Sequence, residues 1–555
     1  MTCLNVMTVL AAAFMAVLPP AALAQQDYAD KANSLIESYA RSDLFSGSVL
    51  VAQHGKAIFR KAFGPANREW DIPNTLETKF RIGSVTKQFT AAAILLLAEQ
   101  GKLKLDDPMS KYYADAPRTW EKITIRHLLT HVSGIPSYTA LPDFFTKLSR
   151  ADRTPQEIIK LTQDLPLEFE PGTAFTYDNT GYILLGYVIE KVIGHSYSQY
   201  LKDNIFDPLG MNNTGYDSAG AIIPHRASGY SLHDDRWDNA AYIAMSLPFA
   251  AGALYSTVDD LLRWEEALSG GRVLSAPSLQ AMFTDYGHTY GFGWTISSRF
   301  GRRLRTHTGG INGFRSTVDI YPDEDLTIII LSNIENAPVP KIGSELAALQ
   351  FGVSEGLHVQ VPIDSAVLDQ YVGDYQLGPK FVLHVTRDGD RLFVQGTKQP
   401  KLEVLPESVS VFFYKIGPAK ITFEIDHAGH ATGLALHQSG TDHLGRRIDS
   451  DEAKRIEEQP PKEHKEVAVD PRIFDSLIGR YQINPNFFLT ISRAGDHLFS
   501  QATGQQQIEM FPEGERDYFL KAVDAQIAFE TNDQGRVVRL ILHQGGLDTP
   551  APRMD

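Results

Sequence analysis

Phe80-Arg81-Ile82-Gly83-Ser84-Val85-Thr86-Lys87 leads into Ala91-Ala92-Ala93-Ile94-Leu95-Leu96-Leu97, a run apolar on nearly every face. A helix that is hydrophobic all round is a buried one. Ser84 is therefore expected at the N-terminal end of a core helix, where free backbone N–H groups and the positive dipole end favour a developing anion. Lys87, three residues on, shares that helical face. Burial beside the hydroxyl lowers a lysine pKa and turns the amine into a proton acceptor. A nucleophile and a base on one rigid element suit covalent acyl transfer.

Two further polar clusters follow. Tyr177-Asp178-Asn179 lies in a turn-rich stretch, Pro171 to Tyr182, that opens an apolar helix expected over Ile183 to Ile193. His307-Thr308-Gly309-Gly310 precedes a β-rich segment ending in Leu326-Thr327-Ile328-Ile329-Ile330-Leu331. In this order the three clusters resemble the serine β-lactamase and penicillin-binding superfamily. The nearest likeness is to its class C branch, which holds D-aminopeptidases, D,D-carboxypeptidases and esterases. The resemblance covers most of residues 25 to 350 and extends to Arg126 through Ile135, Asp207 through Met211 and Gly252 through Leu261.

The resemblance implies an α/β (α+β) catalytic domain, an antiparallel sheet flanked by helices, with Ser84, Lys87 and Tyr177 as catalytic residues. It implies that Tyr177 protonates the leaving group and that Asn179 orients Lys87 and the substrate carbonyl. The backbone N–H groups of Ser84 and Gly310 would form the oxyanion hole, with Gly309 permitting close approach. In a desolvated cleft the lysine charge is expected to depress the tyrosine while burial depresses the lysine, so either could be the base. His307 stands where many superfamily members carry lysine. With a reference pKa of about 6.5, histidine is mostly neutral at pH 7 and a weak anion anchor. That shifts weight from β-lactams and C-terminal carboxylates towards aminopeptidases, amidases and esterases. Asp178 has no role and is expected to face away from the cleft. Tyr290-Gly291-Phe292-Gly293-Trp294 either walls the cleft or packs a strand. His127 and His131 lack the glutamate of a zinc-protease helix and suggest helix-end packing. No metal and no cofactor is expected.

A chain of 555 residues exceeds one ordinary domain. Its apolar content of 43% against 21% charged residues is that of a globular protein. A net charge of −15 gives no encouragement to nucleic-acid or anionic-membrane binding; the expected partner is a small-molecule or peptide substrate. Val9 to Leu18 is apolar, Pro19-Pro20 breaks it, and Ala22-Leu23-Ala24 is a small-x-small cleavage site, so residues 1–24 read as a signal peptide although Met1 to Met7 holds no Lys or Arg. Periplasmic or secreted location follows, with no membrane span after cleavage. Cys3, the single cysteine, would leave with the signal, which excludes disulfides and thiol catalysis. Oligomeric state is not legible.

Beyond residue 350 the chain repeats itself. Gly373-Asp374-Tyr375 answers Gly479-Arg480-Tyr481, and His437-Gln438 answers His543-Gln544, both at an offset of 106 (479 − 373 and 543 − 437). Constant register implies two copies of one fold. Period-two alternation in each copy argues for a small all-β antiparallel barrel, which removes exposed strand edges. The expected domains are 25–355, 356–458 and 459–555, with Asp451 to Glu466 as an exposed, semi-stiff connector. This plan resembles the three-domain bacterial D-aminopeptidases, in which Glu513, Glu515 or Asp517 of the last barrel could meet a substrate ammonium. The expected function is an exported serine hydrolase acting by an acyl-enzyme at Ser84, a peptidase or amidase of the D-aminopeptidase or D,D-peptidase type. A carboxylesterase of the same fold and a non-catalytic peptidoglycan- or peptide-binding protein are the alternatives.

Overall fold

The computed structural model describes residues 20–555 apart from 234–235, 354–360, 362, 415–418, 427–428, 439–440, 459–463, 485–486, 503–506, 522, 524, 533, 545–546 and 555. Most of the expected signal peptide, residues 1–19, thus lies outside the described residues; from Pro20 the chain is helical to Arg41 (α1, Pro20–Arg41). No helix among the described residues is long and apolar enough to cross a membrane. The chain divides into two units, Met1–Leu357 and His358–Asp555.

Leu326–Ser332 (β6) is buried at all seven positions, as its unbroken run of β-branched and leucine residues requires. It pairs antiparallel with Gly47–Gln53 (β1), which pairs with Lys56–Phe63 (β2). On its other side follow Phe314–Tyr321 (β5), Arg302–Ile311 (β4) and Thr295–Arg299 (β3), giving the order β3-β4-β5-β6-β1-β2, antiparallel throughout. Helix α1 and Val339–Phe351 (α6) pack on the sheet and on each other, joined by a 2.6 Å hydrogen bond from the Tyr39 hydroxyl to Glu345. Val258–Ser269 (α4) packs on the central strands β1 and β6.

Thr86–Glu99 (α2) is the expected core helix, with eleven of its residues buried, Lys87 among them. It packs on Asn179–Ile193 (α3), which begins four residues before the expected Ile183. The cause is Asp178, whose carboxylate accepts the Gly181 N–H at 2.9 Å and caps the helix one residue before Asn179. Gly194, at φ 80°, closes it.

In the second unit, eight strands from Gly373–Gly378 to Thr441–Ile448 form a closed antiparallel barrel. Eight more, from Gly479–Asn484 to Leu547–Pro552, form a like sheet whose first and last strands meet through the Tyr481–Arg553 bridge. Strands beginning at Gly373, Phe381, Arg391 and Ala431 recur at Gly479, Phe487, His497 and Val537, each 106 residues later. Tyr375 and Tyr481, both fully buried, hydrogen-bond a carbonyl four residues back at 2.8 Å in each copy. The connector departs from expectation. Ser450–Glu457 (α7) is helical, capped by Asp449 and seated on the barrel through buried Ala453 and Ile456, an i,i+3 apolar pair. Residues 459–463, with the paired prolines, lie outside the described residues.

Candidate active site

Ser84 sits in a 3₁₀ turn, Gly83–Val85, between the short strand Phe80–Arg81 and α2. Gly83 makes the corner at φ 50°, and a Cβ there would stand 2.8 Å from the Gly310 nitrogen. Only glycine allows that approach of the helix entry to strand β4. The β4–β5 hairpin turns at Asn312-Gly313, with Ile311 opposite Phe314. Ladder alternation from that pair leaves the Gly310 N–H turned off the sheet. β3 accompanies β4 only as far as Thr306, so the edge from His307 to Ile311 is open among the described residues. The Ser84 N–H, in the first turn, has no intrahelical acceptor. Ser84 and Gly310 line one cavity.

Lys87 is completely buried. Its Nζ lies 2.8 Å from the Ala251 carbonyl, 2.9 Å from Asn179 Oδ1 and 3.1 Å from Ser84 Oγ. Two of these partners can only accept, and the third can donate. An ammonium donates to all three, Ser84 Oγ included; once deprotonated, the amine keeps two N–H bonds on the carbonyl oxygens and turns its lone pair to the serine. Burial brings its pKa down to about 7 against an opposing pull from Asp178. Asn179, whose Nδ2 donates to Thr139 Oγ1 at 3.1 Å, is held at the start of α3 to present that oxygen. Gly293, at φ 75°, lies against the back of the lysine; a Cβ would fall 2.6 Å from the Lys87 carbonyl.

Tyr177 stands at the mouth of the site, 37% exposed, with Lys87 Nζ 4.8 Å from its ring centroid. Its hydroxyl interacts with Ser84, which lowers its pKa, but burial outweighs this and pushes the pKa well up. The expected depression of the tyrosine by lysine is therefore corrected: the desolvation of the tyrosine itself decides the direction of its shift. Beneath Tyr177 is His131, whose ring centroid is 4.4 Å from the tyrosine's and 4.7 Å from that of Tyr290. His131 lies beyond its helix at φ 58°, and its Nδ1 accepts the Asp178 N–H at 3.1 Å. It is the floor of the site rather than helix-end packing. Tyr290 is likewise buried there, its hydroxyl 2.9 Å from His307 Nε2.

His307 Nδ1 lies 2.7 Å from the Thr308 carbonyl and must donate to it, so Nε2 accepts from Tyr290. Burial, then the nearby Lys87, hold its pKa down to about 3. The ring is neutral, with both nitrogens engaged inside the protein. Gly309 is buried where a Cβ would meet the Ile82 carbonyl at 1.9 Å, which lets β4 close on the serine turn. Asp178, buried with its pKa raised to about 7 by desolvation, supports the site as the cap of α3. Sequence reasoning missed His131, although its place two residues before Ser133-Gly134 marked a chain reversal.

In front of Ser84 opens a cavity of about 210 Å³. Tyr138, Phe144, Phe145, Ile243, Pro248 and Ile311 give it apolar walls; Ser84, Asn179 and Asn312 are among its polar groups, and among the described residues no charged one lines it. Glu513 and Asp517 line a separate cavity in the second unit.

The family model for Beta-lactamase matches residues 32–350, more than half of the chain. A domain of unknown function (DUF3471) matches twice beyond it, at 357–451 and 463–554. Penicillin-binding protein 4* of Bacillus subtilis is 29% identical over 439 residues, 74% of this chain and 96% of its own. The octameric penicillin-binding protein homologue from Pyrococcus abyssi aligns with a TM-score of 0.56 at 28% identity, over 75% of this chain and 99% of that one. The D-amino acid amidase from Ochrobactrum anthropi, solved with D-phenylalanine, aligns at 0.53 and 25%, over 59% and 99%. With a serine, a buried lysine and two backbone donors assembled on this sheet-and-helix frame, the chain belongs to the Beta-lactamase family and is a serine hydrolase related to penicillin-binding proteins and D-amino acid amidases.

Proposed function

We propose that this hydrolase cleaves small amides through an acyl-enzyme at Ser84, with amides of apolar D-amino acids as the leading substrates. The observation that carries the reading is Lys87 Nζ buried 3.1 Å from the Ser84 hydroxyl, with its pKa brought down to about 7, so that free amine is present beside the hydroxyl at neutral pH. Lys87 takes the Ser84 proton as Oγ attacks the carbonyl carbon. The Ser84 and Gly310 N–H groups receive the oxyanion. Tyr177, protonated at neutral pH, gives its proton to the leaving nitrogen as the C–N bond breaks and recovers one from the Lys87 ammonium. Water then attacks the ester, the same groups accepting its proton, and releases the acid and Ser84. The apolar cavity receives the acyl side chain. A neutral His307 and an uncharged wall disfavour substrates anchored by a carboxylate. The likeness to a D-amino acid amidase supports the choice of amide and hand.

A carboxylesterase is the second reading, favoured by the same wall, which among the described residues holds no carboxylate for a substrate ammonium. Export is part of the proposal, resting on Val9 to Leu18 and Ala22-Leu23-Ala24; mature protein beginning at Gln25 is expected on secretion. A panel of D- and L-phenylalanine amides, nitrophenyl esters and nitrocefin tests the substrate. Preference for the D-amide supports the first reading, preference for esters the second. Turnover of nitrocefin above both would overturn the inference from His307.

A further inference from the structure

His131 is 1% exposed and takes no part in the steps proposed at Ser84. Its contacts nevertheless converge on one residue that does. Its carbonyl accepts the Thr176 N–H and its Nδ1 accepts the Asp178 N–H, both at 3.1 Å. In extended chain the N–H groups of alternate residues point the same way, and His131 meets the pair that brackets Tyr177. Ala174 to Asp178 belongs to no helix or strand, so no ladder holds the tyrosine there. The imidazole lies beneath the phenol itself, the two ring planes 37° apart.

The arrangement is unfavourable to the fold in two ways. His131 stands at φ 58°, a conformation uncommon outside glycine and asparagine. Because Nδ1 accepts, the ring is neutral with its proton on Nε2, and that buried N–H has no hydrogen-bond partner among the described residues. The rings of Phe175, Tyr177, Tyr182 and Tyr290 surround it, their centroids 4.4 to 5.9 Å from its own. The Tyr290 wall is itself anchored: two residues on, the Phe292 N–H bonds the Met282 carbonyl at 2.9 Å, at the end of Ala276–Met282 (α5). Left-handed backbone and an unsatisfied buried donor each destabilise the folded chain. Strain that persists beside a reacting group is a pointer to that group's placement.

We propose that His131 is the positioning residue of Tyr177: its carbonyl and its Nδ1 hold the backbone on both sides of the tyrosine and so aim the phenol at the group leaving Ser84. The inference rests on the reading of Tyr177 as the leaving-group acid. Among the described residues His131 is not a wall of the cavity in front of Ser84, so it acts through Tyr177 and not on the substrate. Asparagine tolerates left-handed backbone, and its Oδ1 stands where Nδ1 does, so it keeps both bonds. Phenylalanine keeps a ring and has no acceptor.

The methyl and nitrophenyl esters of phenylacetic acid test the proposal, because they share an acyl group and only the methyl ester has a leaving oxygen that needs a proton. His131→Phe should lower kcat for the methyl ester about 10–100-fold at unchanged KM, and lower kcat/KM for the nitrophenyl ester by less than about threefold. His131→Asn should stay within about threefold of wild type on both. In a Tyr177→Phe background, His131→Phe should add no further loss, since the group it positions is gone. Should His131→Phe not fold, His131→Leu, which also lacks an acceptor, takes its place. Equal losses on the two esters, a full extra loss in the Tyr177→Phe background, or an asparagine variant no better than the phenylalanine one overturns the positioning role. A selective loss in Tyr177→Phe with none in His131→Phe strikes His131 alone. Equal slowing of the two esters by Tyr177→Phe strikes the reading of Tyr177 as the acid, and the role of His131 with it.

Discussion

If Lys87 is the base, the rate of Ser84 acylation must follow the fraction of free amine. With a pKa of about 7, that fraction is near one half at pH 7 and about one in a hundred at pH 5, so acylation should slow about 100-fold between the plateau and pH 5. An unperturbed lysine, titrating at about 10.4, would give no plateau below pH 9. Tyr177, shifted upward, adds no falling limb over the same range. Asp178 sharpens the test. Its carboxylate acts through space to raise the lysine pKa, so removing the charge should move the rising limb to lower pH. Asp178→Asn is the suitable change, because asparagine caps a helix about as well as aspartate and should preserve the start of α3. Both groups titrate near the same pH, so the midpoint belongs to the pair rather than to either residue. The assay is the second-order rate of fluorophosphonate labelling, followed by stopped flow from pH 5 to 10 in wild type and variant. A limb that stays in place in a folded Asp178→Asn protein, or a wild-type rate flat from pH 5 to 8, would refute the assignment of Lys87.

Three other outcomes follow from the same geometry. Tyr177→Phe keeps the ring over His131 and Lys87 but removes the leaving-group acid; amide turnover should fall about 10²–10⁴-fold, with a smaller loss for nitrophenyl esters, whose leaving group needs no proton. Gly293→Ala places a Cβ 2.6 Å from the Lys87 carbonyl at φ 75°, so left-handed strain and overpacking together should cost about 2–5 kcal/mol in urea unfolding; a change within about 0.5 kcal/mol would contradict the close approach. Glu345, buried with its pKa raised to about 7 from 4.5, binds its proton more tightly in the folded chain. Its contribution to stability is present below pH 4.5 and lost as pH rises through about 7. Glu345→Gln should therefore be the more stable protein at pH 8 and lose that advantage by pH 5; parallel melting curves across this range would contradict the burial of a charge-prone carboxyl.

The parts of this molecule legible in the sequence are those written locally. Ser84 and Lys87 lie one turn apart, and the all-apolar run behind them fixes the depth of α2. The 106-residue register repeats a strand pattern that needs no knowledge of where the copies sit. Asp178 was legible in principle, as an aspartate directly before a helix, but the turn-rich residues ahead of it pulled the expected start of α3 forward. The same holds for α7, where an N-cap aspartate and the Ala453–Ile456 pair were outweighed by the prolines that follow. The tyrosine and histidine floor was not legible. His131, Tyr177, Tyr290 and His307 come from four separated segments, and only packing reveals that their rings meet. The setting of His307 had the same origin: its neutrality follows from residue type, but one of its two hydrogen bonds depends on a partner 17 residues away.

The most direct test of the whole account is to catch the covalent intermediate. Protein mixed with a nitrophenyl ester, quenched in acid within a fraction of a second and weighed intact, should gain one acyl mass, with the peptide bearing Ser84 as its carrier. The gain should vanish in Ser84→Ala and form far more slowly in Lys87→Met. Turnover that persists in Ser84→Ala, or an acyl group carried by another residue, would contradict the claim that a buried amine makes this hydroxyl the nucleophile.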